Sequence, residues 1–250
     1  IGVVDLQTNA TQWMDTGAND DIYIPIIQWT RDNNTLSIQR LNRAQNVLEL
    51  LYADVSTGAT RVVLREEEEK WLEIHDALTF LDDGKFIWLS ERDGFRHFYL
   101  YNTDGALVNQ ITKGDWETDA YYGVDQKASM LYYSSTEASL LDRQIYKIRL
   151  DGRKKVQLTA KSGTHSARFS PTYDYFLDTF SDASAPSTIS LLNNNGELVA
   201  LVLDNSVPAL HDYPLGKADF LTFTTTDSVS LNTSMLKPVD FDSTKQYAVF

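Results

Sequence analysis

An all-β fold, a partial β-propeller, is what the sequence predicts, and three observations predict it. A unit of roughly 47 residues recurs four times. Each unit carries a tight turn in the same place, at Gly58, Gly105, Gly152 and Gly196, and in three of the four the glycine follows Asp or Asn. Each unit is also built from short β-rich runs, and four strands per repeat of about 40 to 50 residues is the make-up of a propeller blade. A single blade leaves both faces of its twisted sheet uncovered, so blades are stable only when stacked around a common axis.

The elements follow in order. Residues 1–15 are expected to supply the outer strands of a blade preceding the first complete one, and complete blades are expected at about 22–66, 72–112, 118–159 and 165–203. In the first, Val62-Val63-Leu64 follows the Gly58 turn. In the second, Phe80-Leu81, the polar turn Asp82-Asp83-Gly84-Lys85 and Phe86-Ile87-Trp88 read as strand, turn and strand. Phe98-Tyr99-Leu100-Tyr101 then leads into the Gly105 turn, and Val108-Asn109-Gln110-Ile111-Thr112 leads out of it. The third repeats this with Ile145-Tyr146-Lys147-Ile148, Gly152 and Val156-Gln157-Leu158-Thr159. The fourth has Phe169 and Phe176 flanking a turn at Pro171 to Asp174, and Leu198-Val199-Ala200-Leu201 after Gly196. A chain that opens at Ile1 in mid-blade, without an initiator Met, is expected to be a piece of a longer protein.

Composition supplies the core and excludes several functions. The chain is 42% hydrophobic and 12% aromatic, and its 13 Tyr and 11 Phe suit strands better than helices. No apolar run approaches the ~18 residues of a membrane-spanning helix. A net charge of -13 repels phosphate backbones, so nucleic acid is not an expected partner. With no cysteine there are neither disulfides nor thiolate metal sites.

No complete active site is legible. The chain has no G-x-S-x-G elbow, H-E-x-x-H pair, phosphate-binding glycine loop or calcium loop. His75, His97, His165 and His211 fall in different repeats, without the spacing of a helical zinc site, and read as surface or hydrogen-bonded histidines. No metal or cofactor is expected. Glu66, Glu67, Glu68 and Glu69 form the densest charge run; they either attract a cation or form a solvated loop between blades, and the loop is the plainer reading. Asp93-Gly94 marks a hairpin turn whose flanking Glu and Arg pair across it or dock another domain. Trp29, Trp71, Trp88 and Trp116 are expected to fill the space between blades, with Trp71 the exception because it follows an exposed run.

Several of these segments together carry a family resemblance. Leu41-Asn42-Arg43-Ala44-Gln45-Asn46, the run from Ser90 to Tyr101, Thr112-Lys113-Gly114-Asp115-Trp116-Glu117, Ser135-Thr136-Glu137, Arg143-Gln144-Ile145-Tyr146 and the run from Leu236 to Asp242 resemble, in order and spacing, the propeller domain of the dipeptidyl peptidase IV family. The family comprises serine exopeptidases of the prolyl oligopeptidase type, and the style of the chain is closer to bacterial than to animal members. The resemblance implies the C-terminal half of an eight-bladed propeller over residues 1–210. Residues 211–250 would then re-enter an α/β-hydrolase domain, through the stretches 219–223, 229–238 and 247–250. It implies a Ser-Asp-His triad beyond Phe250, none of it in this chain, and a parent that releases N-terminal Xaa-Pro or Xaa-Ala dipeptides. The propeller would gate and orient peptides with a free N-terminus.

Two consequences concern particular residues. The family binds the substrate amino group with a glutamate pair that follows an aromatic motif in an earlier blade, so Glu66 to Glu69, in another blade and ahead of Trp71, are not assigned to it. By position, the rim of the family's outer substrate pocket corresponds to Trp71, Leu72, Glu73, Ile74 and His75. The residue types there differ from those of better-known members. The expected partners are peptide substrates, the missing hydrolase domain and blades, and further copies of the chain itself; the compartment is left open, with a periplasmic or cell-surface parent favoured. A protein-binding propeller scaffold is the alternative, without the Trp-Asp endings of that class, and a propeller glycosidase would need converging carboxylates that no pattern singles out.

Overall fold

The computed structural model describes residues 1–248, which divide into two compact units. Unit 1 holds Ile1–Glu137 and Tyr146–Val156; unit 2 holds Ala138–Ile145 and the chain from Gln157 onward. The architecture is the expected one, a succession of antiparallel sheets forming a partial β-propeller.

Unit 1 begins with a hairpin of β1 (Gly2–Val4) and β2 (Thr11–Trp13). The next sheet contains β3 (Ile22–Tyr23), β4 (Ile27–Trp29), β5 (Thr35–Asn42), β6 (Val47–Asp54) and β7 (Thr60–Glu67). It has five strands instead of four, because β3 and β4 pair with opposite ends of β5. Pro25 lies between them, and proline has no N–H to give to a ladder. The second sheet is β8 (Thr79–Phe80), β9 (Phe86–Ser90), β10 (His97–Tyr101) and β11 (Leu107–Gln110), in antiparallel order. The third comprises β12 (Thr118–Asp125), β13 (Met130–Ser135), β14 (Gln144–Arg149) and β15 (Val156–Gln157), and the boundary between the units runs through it.

Unit 2 contains the fourth sheet, β16 (Thr164–Phe169), β17 (Tyr175–Asp182), β18 (Ala185–Asn193) and β19 (Leu198–Leu203). A short 3-10 turn, Pro208–Asp212, precedes a separate hairpin of β20 (Ala218–Thr224) and β21 (Ser230–Leu236). Those two strands coincide with the first two stretches expected in 211–250; residues 249 and 250 lie outside the described residues. No helix among the described residues is long and apolar enough to cross a membrane.

The core of unit 1 lies between sheets. Leu41, Leu48, Leu50 and Tyr52 of the first sheet meet Phe80, Phe86, Trp88, Tyr99 and Tyr101 of the second in one buried cluster. The other face of the second sheet, with Ile87, Leu89, Phe98 and Leu100, meets Leu131, Tyr133, Tyr146 and Ile148 in another. Alternate residues of β9 and β10 point to opposite faces, so neighbours on both sides leave every position buried.

Two polar details recur with the repeat. His97, first in β10, donates from Nε2 to the Gly114 carbonyl at 2.9 Å and accepts the Thr112 hydroxyl at Nδ1 at 3.1 Å. Thr112 Oγ1 in turn accepts the Phe98 N–H. One period later Gln144, first in β14, donates to the Lys161 carbonyl at 2.8 Å and accepts the Thr159 hydroxyl at 2.7 Å, while Thr159 accepts the Ile145 N–H. Each clasp ties the third strand of a blade to the segment beyond its fourth. The turn glycines recur as well: Gly105 has φ +90°, and a Cβ there would stand 1.9 Å from the Val63 carbonyl oxygen of β7.

Candidate functional site

The segment that the resemblance singles out, residues 71–75, joins β7 to β8. Its backbone is pinned at Leu72, whose N–H donates to the Gln45 carbonyl in the turn between β5 and β6. Leu72 is buried, and Ile74 packs against the core cluster between the first two sheets, so these apolar residues anchor the segment. Trp71 is 55% exposed and donates from Nε1 to Glu73 Oε2 at 3.3 Å.

Beside this segment is a cleft. A narrow part of ≈ 20 Å³ is lined by Glu66, Leu72, Glu73, His75, Ser90 and Glu91 among others. It adjoins a wider depression of ≈ 260 Å³ that shares Glu66, Leu72, Ser90 and Glu91 and adds Arg65, Glu68 and Arg92. Of the five rim residues, Leu72, Glu73 and His75 line the narrow cleft, whereas Ile74 belongs to the core.

His75 is buried rather than on the surface, and the Leu89 backbone is the polar group beside its ring. Its ring meets Trp88 edge-on, with centroids 4.7 Å apart, and both ring nitrogens are shut off from solvent with no side-chain partner. Burial pushes its pKa down to about 4, against the pull of Glu66, the Leu89 backbone and Asp76. At neutral pH it is an uncharged imidazole.

The four-glutamate run is not a uniform solvated loop. β7 continues through Glu67, and the Glu66 side chain, only 10% exposed, forms an ion pair with Arg92. Glu67 pairs with Arg65 at 2.9 Å, which also reaches Glu49 at 3.0 Å. Strand pairing with β6 decides this: Glu66 opposes Leu48 and Glu67 opposes Val47, so strand alternation, not charge density, sets which side chain turns inward. Arg92 therefore does not pair across its own Asp93-Gly94 turn. It reaches the preceding sheet and stacks over Tyr99 at 4.7 Å, while its Nε donates to Ser90 Oγ at 3.0 Å. Gly94 has φ +98°, as a turn there requires.

Of the other tryptophans, Trp88 and Trp116 are buried between sheets as expected, but Trp29, at 47% exposed, is not. His97 is committed to its clasp. His165 carries a carboxylate partner, Asp178, at 2.9 Å, yet its other nitrogen faces the Lys161 carbonyl at 2.9 Å, so no hydroxyl nucleophile stands where a triad would need one. Among the described residues no group of three or more His, Asp or Glu is placed to hold a metal ion.

The sequence places this geometry among known proteins. Residues 1–187 match the family described as the dipeptidyl peptidase IV (DPP IV) N-terminal region. Dipeptidyl peptidase 4 of Arthroderma otae is 24% identical over 241 residues, covering 92% of this chain and 31% of its own length. The crystal structure of Porphyromonas gingivalis dipeptidyl peptidase 4 superposes with a TM-score of 0.90 at 31% identity, covering 98% of this chain and 35% of that one. A putative dipeptidyl aminopeptidase IV from Bacteroides ovatus shares the fold with a TM-score of 0.85 at 24% identity, covering 98% of this chain and 38% of that one. The chain thus spans about a third of the length of the relatives it matches.

Proposed function

This chain belongs to the dipeptidyl peptidase IV N-terminal region family, and we propose that it is the non-catalytic propeller portion of a serine exopeptidase that releases Xaa-Pro or Xaa-Ala dipeptides from peptide N-termini. The observation that carries the reading is the fit to the Porphyromonas gingivalis enzyme across 98% of the chain. In this role the propeller gates entry and orients the peptide, and closing the site against bulk water strengthens every polar contact within it. Residues 211–250 are the re-entry into the hydrolase domain, a role supported by the separate β20–β21 hairpin. Trp71, Leu72, Glu73 and His75 contribute to the rim of the substrate pocket, with Ile74 as the core anchor beneath them.

The test uses the parent enzyme and a glycyl-prolyl chromogenic peptide. Replacing His75 with Gln or Trp71 with Ala raises KM several-fold and leaves kcat close to unchanged, because these groups bind substrate and transition state alike. A variant that changes neither constant overturns the rim assignment. The 250-residue chain alone gives no turnover, since a nucleophile needs a base and an oxyanion hole within hydrogen-bond reach; activity that follows the purified chain overturns the division of labour. Self-association of the isolated chain belongs to the same reading. The β19 side chains, with Leu198 66% and Val202 57% exposed, offer apolar area worth about 25 cal/mol per Å² when covered. Sedimentation at tens of micromolar would show a concentration-dependent mass, and a clean monomer would exclude it.

A further inference from the structure

Resting on the substrate-rim reading, we propose that Arg92 is a positioning residue of the rim: by holding Glu66 it fixes the segment between β7 and β8 against the second sheet and keeps the Glu66 charge off the His75 ring. Three anchors hold the stretch from Glu66 to Leu72. Two are backbone bonds to the β5–β6 turn of the same sheet, from the Glu68 N–H to the Asn46 carbonyl at 3.0 Å and from the Leu72 N–H to the Gln45 carbonyl at 2.9 Å. The third is the Glu66–Arg92 ion pair, and of the three it alone crosses to the second sheet. Arg92 is itself fastened on that side. Its Nε donates at 3.0 Å to Oγ of Ser90, a buried residue of β9, and its guanidinium lies over the rings of Tyr99 at 4.7 Å and Tyr101 at 5.6 Å in β10. The planar fork is thereby preset to face β7, where Glu66 receives it.

The electrostatics give the pair a second task. Glu66 lines the narrow cleft together with Leu72, Glu73 and His75, and its side chain is only 10% exposed. Removing one partner of such a pair leaves the other charge buried and uncompensated. Around the His75 ring stand Glu66 from β7, Glu73 and Asp76 from its own segment, and Glu91 and Arg96 from the β9–β10 turn. Burial is the dominant influence and keeps the ring neutral; Glu66 is the strongest pull against it, ahead of the Leu89 backbone and Asp76. Without Arg92 the Glu66 charge acts on that ring unopposed. The pair thus sets both where the segment lies and whether an uncharged ring backs it.

The experiment compares Arg92→Gln, Arg92→Lys and the double variant Arg92→Gln with Glu66→Gln. In the parent enzyme with a glycyl-prolyl chromogenic peptide, Arg92→Gln is expected to raise KM about fivefold with kcat within about twofold. Adding Glu66→Gln brings KM back to within about twofold of the unmodified enzyme, because two neutral amides leave no unpaired charge. In the 250-residue chain, the ring proton shifts of His75 followed against pH give its midpoint, which rises above about 4 by at least about 0.5 in Arg92→Gln and returns in the double variant. Arg92→Lys keeps the charge without the fork and moves both readouts by less than Arg92→Gln does. A double variant whose KM is as impaired as that of Arg92→Gln means that Arg92 meets the substrate directly, and overturns the positioning role. An Arg92→Gln enzyme with unchanged KM, beside a Trp71→Ala enzyme whose KM rises, overturns it as well. Failure of the rim reading looks different: KM ignores Arg92, Trp71 and His75 alike while the His75 midpoint still follows Arg92 and Glu66, so that the hold on the segment stands and its role toward the peptide falls.

Discussion

The second and fourth sheets are written in similar residues and have opposite fates. Phe-Ile-Trp-Leu-Ser in β9 and His-Phe-Tyr-Leu-Tyr in β10 are buried at every position. Leu-Val-Ala-Leu-Val-Leu in β19 is at least as apolar, and all six residues are exposed. The second sheet has a buried cluster on each face, one shared with the first sheet and one with the third. The buried side chains of the fourth sheet are few: Phe176, Phe180, Leu192 and the His165–Asp178 pair. An apolar strand in a propeller is therefore a demand for a neighbour. Whether the demand is met decides its energetic weight.

Substitution on the two strands tests this most forcefully. Phe98→Ala in β10 removes a fully buried ring and is expected to cost about 3–5 kcal/mol, whereas Leu201→Ala in β19 stays within about 0.5 kcal/mol. Denaturant unfolding of the two variants reads the difference, and equal losses would mean that β19 is covered in solution.

The turns sharpen the comparison at the level of single contacts. Gly105 and Gly152 both have positive φ, +90° and +77°, but a Cβ at Gly105 would stand 1.9 Å from the Val63 carbonyl oxygen, while at Gly152 the nearest atom is the Ile111 carbonyl oxygen at 3.2 Å. Gly105→Ala is expected to cost about 2–3 kcal/mol and Gly152→Ala about 1 kcal/mol, with Ala59→Val nearly silent. Reversal of the first two in a melting series would break the assignment of close approach to the second blade's turn.

Acid exposes the next difference, which originates at His75. Its folded pKa of about 4 lies below the ordinary value of 6.5, so between those pH values the unfolded chain holds a proton that the folded chain does not. Stability therefore falls as pH drops from 6.5 towards 4, by about 3 kcal/mol, and His75→Gln removes that slope. Unfolding midpoints at pH 7, 5.5 and 4.5 decide it. The smallest expected effect is in the clasps: Thr112→Val and Thr159→Val each lose about 1 kcal/mol by leaving a buried backbone N–H unpaired, against less than about 0.5 kcal/mol for Thr172→Val on an exposed turn.

Much of the fold was determined by local sequence, because turn chemistry and strand period are local properties. Glycine is needed wherever φ is positive and the neighbouring chain is close, so Gly58, Gly105 and Gly152 announce the repeat by themselves. The clasps were legible in principle, since His97 with Thr112 and Gln144 with Thr159 share one spacing, but a histidine and a glutamine do not look alike until their hydrogen bonds are seen. Other facts were decided only by tertiary structure. Glu66 turns inward to Arg92 while its neighbour Glu67 does not, because pairing of β7 with β6 sets the alternation. Trp29 is exposed and Trp88 buried because only one of them has a sheet packed over it in the core clusters. His75 is shut off from solvent by the way residues 71–75 fold over Trp88, a long-range event that no residue type or spacing encodes. The sequence by itself set where strands begin and turn; which apolar and charged groups are covered depended on neighbours distant in the chain, since burial is a property of surfaces brought together and not of the residues that make them.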